Sequence, residues 1–274
     1  MTARVIAIAN RKGGVGKTTT AVNVAAELAD RGRRILLIDM DPQGHAGLGV
    51  GVVRTKTEAA VHHLFRPQGI DLGTAVRPSC VPGIDVLPAE ADFQVHEAVN
   101  DPLRLIRGLA AFGNRYDEIV IDTSPTIDIT TLAALAAADH VLIPTQLQYL
   151  AYDGVLRFSS ILLKVATLLN PRFSGLAVVP IQIDMRTNIQ RVVLAKLLMN
   201  FGPKRIFRGI RTDVALAEAF GARTPVRLYR PSARGAADYA LLADDILTFW
   251  RGEPPLPDAN ALEAAQAPVL EPAL

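Results

Sequence analysis

One short stretch near the start of the chain carries the groups that phosphate chemistry needs. Arg11-Lys12-Gly13-Gly14-Val15-Gly16-Lys17-Thr18-Thr19 combines glycines, lysines and hydroxyls. Glycines let successive backbone N–H groups turn inward onto phosphate oxygens. A helix beginning at the end of such a loop adds its free donors and its dipole. Lys17 is placed to reach β- and γ-phosphates, and the Thr18 hydroxyl to coordinate Mg²⁺. The pattern G-x-x-x-x-G-K-[ST] is met only in its second half. Gly16-Lys17-Thr18 close it, but Arg11 holds the first glycine position, and Lys12 stands at the front of the loop. An ordinary glycine-rich turn is the plain alternative. The Lys-Thr pair, an apolar run before it (Arg4 to Ala9) and an alanine-rich helical stretch after it weigh against that alternative.

Three more segments put polar groups at the ends of apolar runs. Ile35-Leu36-Leu37-Ile38 leads into Asp39-Met40-Asp41-Pro42-Gln43-Gly44. Tyr116-Asp117-Glu118-Ile119-Val120-Ile121 leads into Asp122-Thr123-Ser124-Pro125. Val141-Leu142-Ile143 leads into Pro144-Thr145-Gln146. Ligands of open parallel sheets bind outside the carboxyl ends of strands, so these ends can converge on the glycine loop. Taken singly, Asp39 or Asp122 could be a strand-end cap, Lys12 a solvated loop lysine, and Asp41-Pro42 a turn.

The four segments together resemble the ParA/MinD family of deviant Walker A ATPases, and within it the ParA (Soj-like) partition ATPases. Lys12 to Thr19 is similar to the deviant Walker A motif. Asp39 to Gly44 is similar to switch I, and Ile121 to Pro125 to Walker B and switch II. Asp184 to Asn188, Leu216 to Ala219 and Arg230 to Ala236 match later ParA segments. The resemblance runs from about residue 3 to about residue 250. It implies ATP and Mg²⁺ as cofactors. Gly13, Gly14, Val15, Gly16, Lys17, Thr18 and Thr19 would bind nucleotide. Thr18, Asp39 and Asp122 would serve the metal. Lys12, Lys17 and Asp41 would be catalytic, with Lys12 reaching a partner subunit's phosphates in an ATP-dependent homodimer and Asp41 orienting the attacking water. Family patterns are departed from at Ser124, where a proline is usual, at Gln148, where a glutamate is usual, and at Arg211-Thr212-Asp213, where Pro-Arg-Asn is usual.

The elements that must hold these groups alternate along the chain. Strands are expected at 3–9, 34–39, 84–88, 117–122, 139–144, 175–181 and 205–210. Helices are expected near 17–31, 57–65, 90–98, 102–113, 129–138, 152–169, 188–201 and 233–250. Such alternation predicts an α/β fold with a doubly wound, mostly parallel sheet covered by helices on both faces. The family resemblance implies that this is a P-loop NTPase fold of the deviant Walker A type. A chain of 274 residues, half of them apolar, is long enough to bury such a core. Residues 1–251 are assigned to this ATPase domain, and 252–274, rich in proline and alanine and without lysine or arginine, to a flexible acidic tail.

A lone cysteine, Cys80, rules out an internal disulfide and suits a reducing compartment. Residues 1–9 lack the pattern of a signal peptide, and no apolar run is long enough and uncharged enough to span a membrane. The net charge is only +2, but basic residues crowd residues 200–235. Lys204, Arg205, Arg208, Arg223, Arg227, Arg230 and Arg234 are the candidate contacts to DNA phosphates, opposed within that window only by Asp213 and Glu218. Local ion pairing is the ordinary alternative for any one of them. The resemblance implies a cytoplasmic, nucleoid-associated partition or positioning ATPase with a ParB-like or other cargo-bound activator. A MinD-like regulator at the membrane surface is the alternative. It needs a basic amphipathic C-terminal helix, which the proline-broken tail does not suggest.

Overall fold

The computed structural model describes residues 3–250; the expected tail at 252–274 lies outside them. In chain order the elements are β1 (Arg4–Ile8), α1 (Lys17–Asp30), β2 (Ile35–Asp39), α2 (His45–Leu48), β3 (Arg77–Pro78), β4 (Ile84–Leu87), α3 (Arg104–Leu109), β5 (Glu118–Asp122), α4 (Ile129–Ala137), β6 (His140–Gln146), α5 (Tyr149–Leu169), β7 (Gly175–Ile183), α6 (Asn188–Phe201), β8 (Ile210–Arg211), α7 (Val214–Gly221), α8 (Val226–Tyr229) and α9 (Arg234–Trp250). The strands form one 8-stranded sheet in the order β3-β4-β2-β5-β1-β6-β7-β8. All neighbours are parallel except β3 with β4.

Uninterrupted apolar runs make strands that are buried on both sides, and every residue of β2 and β5 is buried. Alternate residues then feed two cores. Val5, Ala7, Leu36, Ile38, Ile119 and Ile121 pack on one face with Ala133 of α4, Phe158 of α5 and Val193 of α6. Ile6, Ile8, Ile35, Leu37 and Val120 pack on the other with Val24 of α1, Ala215 of α7 and Tyr239 of α9. The register sets Ile8 opposite Asp122 and Asp39 opposite Asp122, so β1, β2 and β5 end level with one another.

Three expected elements take another form. The helix expected at 57–65 is reduced to a 3₁₀ turn over Val61–Phe65. Arg54 claims the carbonyls of Glu58 and Ala89, and the Val61 amide donates to Pro88, so a helical ladder has lost its partners. The helix expected at 90–98 is a 3₁₀ turn at Val95–Glu97 only; the Glu90 amide is bonded to a histidine ring instead. The strand expected at 205–210 becomes a 3₁₀ turn (Pro203–Arg205), a single bridge from Ile206 to Val178, and β8. There the Arg208 amide donates to Asp245 rather than to a neighbouring strand. α7 and α8 were not expected; the signal for α7 is Asp213, which caps it by accepting from the Ala215 amide.

Candidate nucleotide site at the carboxyl edge of the sheet

Asn10, two residues after β1, fixes the loop that follows. Its amide donates to the Pro144 carbonyl at 2.8 Å and its oxygen accepts from the Lys12 amide at 3.1 Å. The loop then turns through Gly14 and Gly16, both at φ 71°, a region a side chain rarely tolerates. Gly16 stands at the N-cap of α1 without any side-chain cap, so the first-turn amides are left to the cleft. Lys17 is almost wholly buried, with its ammonium on the Lys12 carbonyl at 3.3 Å. Burial lowers its pKa, and the nearby charges of Asp122 and Asp41 work against that shift.

Opposite this lysine lie the two strand-end carboxylates. Asp39 and Asp122 are both fully buried. Asp39 is held by the Gly47 amide at 3.0 Å and the Asp41 amide at 3.3 Å. Asp122 has no such support. Thr18 beside it favours its charged form, yet no donor closes to hydrogen-bond geometry on either oxygen. Burial raises the pKa of both groups; the Asp41 charge adds to the shift of Asp39, and the charges of Asp39 and Asp41 add to that of Asp122. Two buried acids, one of them without a donor, form an oxygen pair suited to a hard cation. Among the described residues no group of three His, Cys, Asp or Glu could hold a metal alone. That fits Mg²⁺, which takes one or two carboxylates and fills its shell with phosphate and water.

The glycine loop, Asp41 and neighbouring side chains line a cleft of about 410 Å³ that includes Thr18, Thr19, His45 and Phe220. Beside it, a more apolar pocket of about 340 Å³ is lined by Thr19, Ile181, Leu216, Phe220 and Tyr239. Gln182 lines both. It sits at φ 54°, where the pairing of β7 with β8 shifts register. An irregularity of this kind re-aims a side chain, and here it is paired with function-bearing neighbours.

Lys12 does not point into the cleft's centre. Its ammonium donates to Gln146 at 2.9 Å and Gln148 at 3.0 Å, and Gln146 in turn donates to Gln182 at 2.6 Å. The sequence identified Lys12, but its holders Gln146 and Gln148, the Gln182 that Gln146 bonds, and the cleft residues His45 and Phe220 were not singled out as site residues. His45 directly follows the Asp-Pro-Gln-Gly turn, which is the one signal that it would face the loop.

The basic cluster separates into two groups. Arg208 is bidentate on Asp245 with only 15% of its side chain exposed. Arg227 is held by Glu27 and Asp30, and Arg230 by Glu218. Lys204, Arg205, Arg223 and Arg234 are exposed, and no carboxylate among the described residues lies within ion-pair distance of them. The expectation that only Asp213 and Glu218 oppose the cluster is therefore corrected. Acids distant in sequence, on α1 and α9, supply most of the counter-charge.

A family profile described as an AAA domain matches residues 3–175. The chromosome-partitioning ATPase Soj of Thermus thermophilus is 40% identical over 246 residues, covering 89% of this chain and 95% of that protein. The chromosome partitioning protein ParA of Caulobacter vibrioides is 34% identical over 255 residues, covering 90% and 95%. Among solved structures, the cobyrinic acid a,c-diamide synthase of Mycobacterium smegmatis with bound ATP analog and magnesium superposes with a TM-score of 0.76 at 29% identity, covering 94% of this chain and 100% of that one. With a glycine loop, strand-end acids and sheet order in place, and with these relatives matching along nearly their whole length, the chain belongs to the ParA/MinD family of P-loop ATPases.

Proposed function

We propose that this chain is a partition or positioning ATPase whose ATP-bound form is a DNA-binding homodimer. The observation that carries the reading is a buried Asp122 that acts electrostatically on Lys17 and lies beside Thr18, both of which line a cleft of about 410 Å³ with the glycine loop. Likeness to Soj and ParA over about nine-tenths of the chain points the chemistry toward partition.

ATP would lay its phosphates on the loop amides of Gly13 to Thr19 and its base toward the adjoining apolar pocket. Lys17 neutralises the β- and γ-phosphates. Thr18, Asp39 and Asp122 are the residues that would hold Mg²⁺. When bound, that ion would neutralise negative charge on the phosphates. Asp41, at the cleft wall, orients water for attack on the γ-phosphate. Lys12 leaves its two glutamines and reaches the phosphates of a second copy, so the site is completed only by dimerisation. A cation delivered across an interface in this way resembles an arginine finger, with effects on the order of 10³–10⁵ in rate elsewhere. Nucleotide then controls assembly through its different affinity for monomer and dimer. Exposed Lys204, Arg205, Arg223 and Arg234 are the cations available to DNA phosphates, and a cargo-bound, ParB-like activator would trigger release.

Binding to random-sequence DNA, measured with ATP, ADP or no nucleotide at two salt concentrations, tests this reading. Binding with ATP alone, weakened by salt, is expected. Absence of DNA binding in every state contradicts it and makes liposome binding the next experiment.

A further inference from the structure

The catalytic turn Asp39-Met40-Asp41 is held from below by a residue outside every motif. The Met40 amide donates to the Asp122 carbonyl at 2.9 Å, tying switch I to switch II. The Met40 carbonyl lies 3.3 Å from Nε2 of His62. His62 is fully buried in the 3₁₀ turn Val61–Phe65, with its ring against Phe93 at 4.5 Å. Its other nitrogen, Nδ1, lies 3.0 Å from the Glu90 amide.

These contacts fix the tautomer. A backbone N–H only donates, so Nδ1 must be bare and accept it. A neutral imidazole then carries its proton on Nε2, the nitrogen facing Met40, and donates it to the carbonyl. Burial keeps the ring neutral by lowering its pKa to about 4. The turn that carries the ring is itself anchored at the end of β4. Val61 donates to Pro88 at 2.9 Å, and Arg54 grips the Ala89 carbonyl at 3.0 Å. His62 thus links a fixed platform to the one residue between the two acids.

We propose that His62 is a positioning residue for ATP hydrolysis, holding the Met40 carbonyl so that Asp39 and Asp41 keep their hydrolytic orientation. The proposal rests on the ATPase reading above and adds a residue to it. Nothing in the local sequence marks His62; its neighbour His63 instead pairs with Glu90 at 3.3 Å.

Two conservative variants separate the ring's two bonds. His62→Gln keeps a donor near the Nε2 position. His62→Asn keeps an acceptor near Nδ1 and leaves the Met40 carbonyl without a donor. In the full chain at saturating Mg·ATP, His62→Gln is expected to turn over within about twofold of the unmodified protein, and His62→Asn roughly tenfold slower, the effect of one lost hydrogen bond. Affinity for a fluorescent ATP analogue should be the same in both variants. Equal turnover in the two, or a parallel loss of turnover and nucleotide affinity, overturns the positioning role. Nitrogen NMR of the unmodified chain gives a check that needs no variant. It should show a protonated Nε2 and a bare Nδ1 at His62, and the opposite tautomer overturns the proposal. An unmodified chain with no ATP turnover under any condition overturns the ATPase reading and this proposal with it, whereas normal wild-type turnover with equal variants overturns the proposal alone.

Discussion

Asp122 is where burial and charge conflict most directly in a single residue. A buried carboxylate with no donor on either oxygen is costly, and here a second buried acid, Asp39, lies opposite it in register. Such an arrangement persists where a cation is to be received. Asp122→Asn removes the charge while keeping the shape. Without nucleotide or metal, its unfolding free energy should rise by about 1 kcal/mol, while Mg-dependent ATP turnover is lost. Denaturant melts and a phosphate-release assay check this. A variant that hydrolyses ATP normally would remove Asp122 from the metal site. These site residues were legible because their chemistry is local: the glycine loop and both acids could be read from spacing. His62 and Gln182 were not, because their roles come from neighbours that the fold brings from far along the chain.

At the scale of elements, the site depends on how helices begin. α1 starts from an uncapped glycine and offers its amides outward, whereas α4 is closed by Asp128, which accepts from the Thr130 and Thr131 amides. Asp128 also accepts from the Thr126 hydroxyl, and Thr126 bonds to Ser124 at 2.8 Å. Where the family commonly has a proline, this chain therefore ties switch II to a helix cap by hydroxyls. Asp128→Ala should cost about 1 kcal/mol of stability from the cap alone. It should also change ATP turnover, because switch II loses its tether. If urea melts show the loss while turnover is untouched, the tether has no part in the cycle. Element positions were legible where apolar runs were long and buried, as in β2 and β5. They failed at 57–65 and 90–98 and again at 205–210, where side chains such as Arg54 and Asp245 take the backbone groups that regular structure would use.

At the scale of the whole molecule, the fold divides a basic segment into structural and available charge. Arg208 holds the buried Asp245 and belongs to the packing of α9. Arg208→Ala should destabilise the protein by about 3 kcal/mol, as when one partner of a buried pair is removed. Lys204→Ala with Arg223→Ala should leave the melt unchanged and reduce the salt slope of DNA binding by about 1 for each lost phosphate contact. An unchanged slope would place the DNA surface elsewhere. The sequence showed the charge but could not show this division, since the opposing acids lie on α1 and α9. The central claim is that Lys12, held here by Gln146 and Gln148, couples nucleotide to assembly by crossing to a second copy. Sedimentation velocity with Mg·ATP and with ADP, on the unmodified chain and on Lys12→Ala, tests it most directly, with fluorescent-nucleotide binding measured alongside. The unmodified chain should dimerise with ATP only, and Lys12→Ala should bind ATP equally well yet remain monomeric. A Lys12→Ala chain that dimerises as readily as the unmodified one, or that no longer binds ATP, would contradict the account.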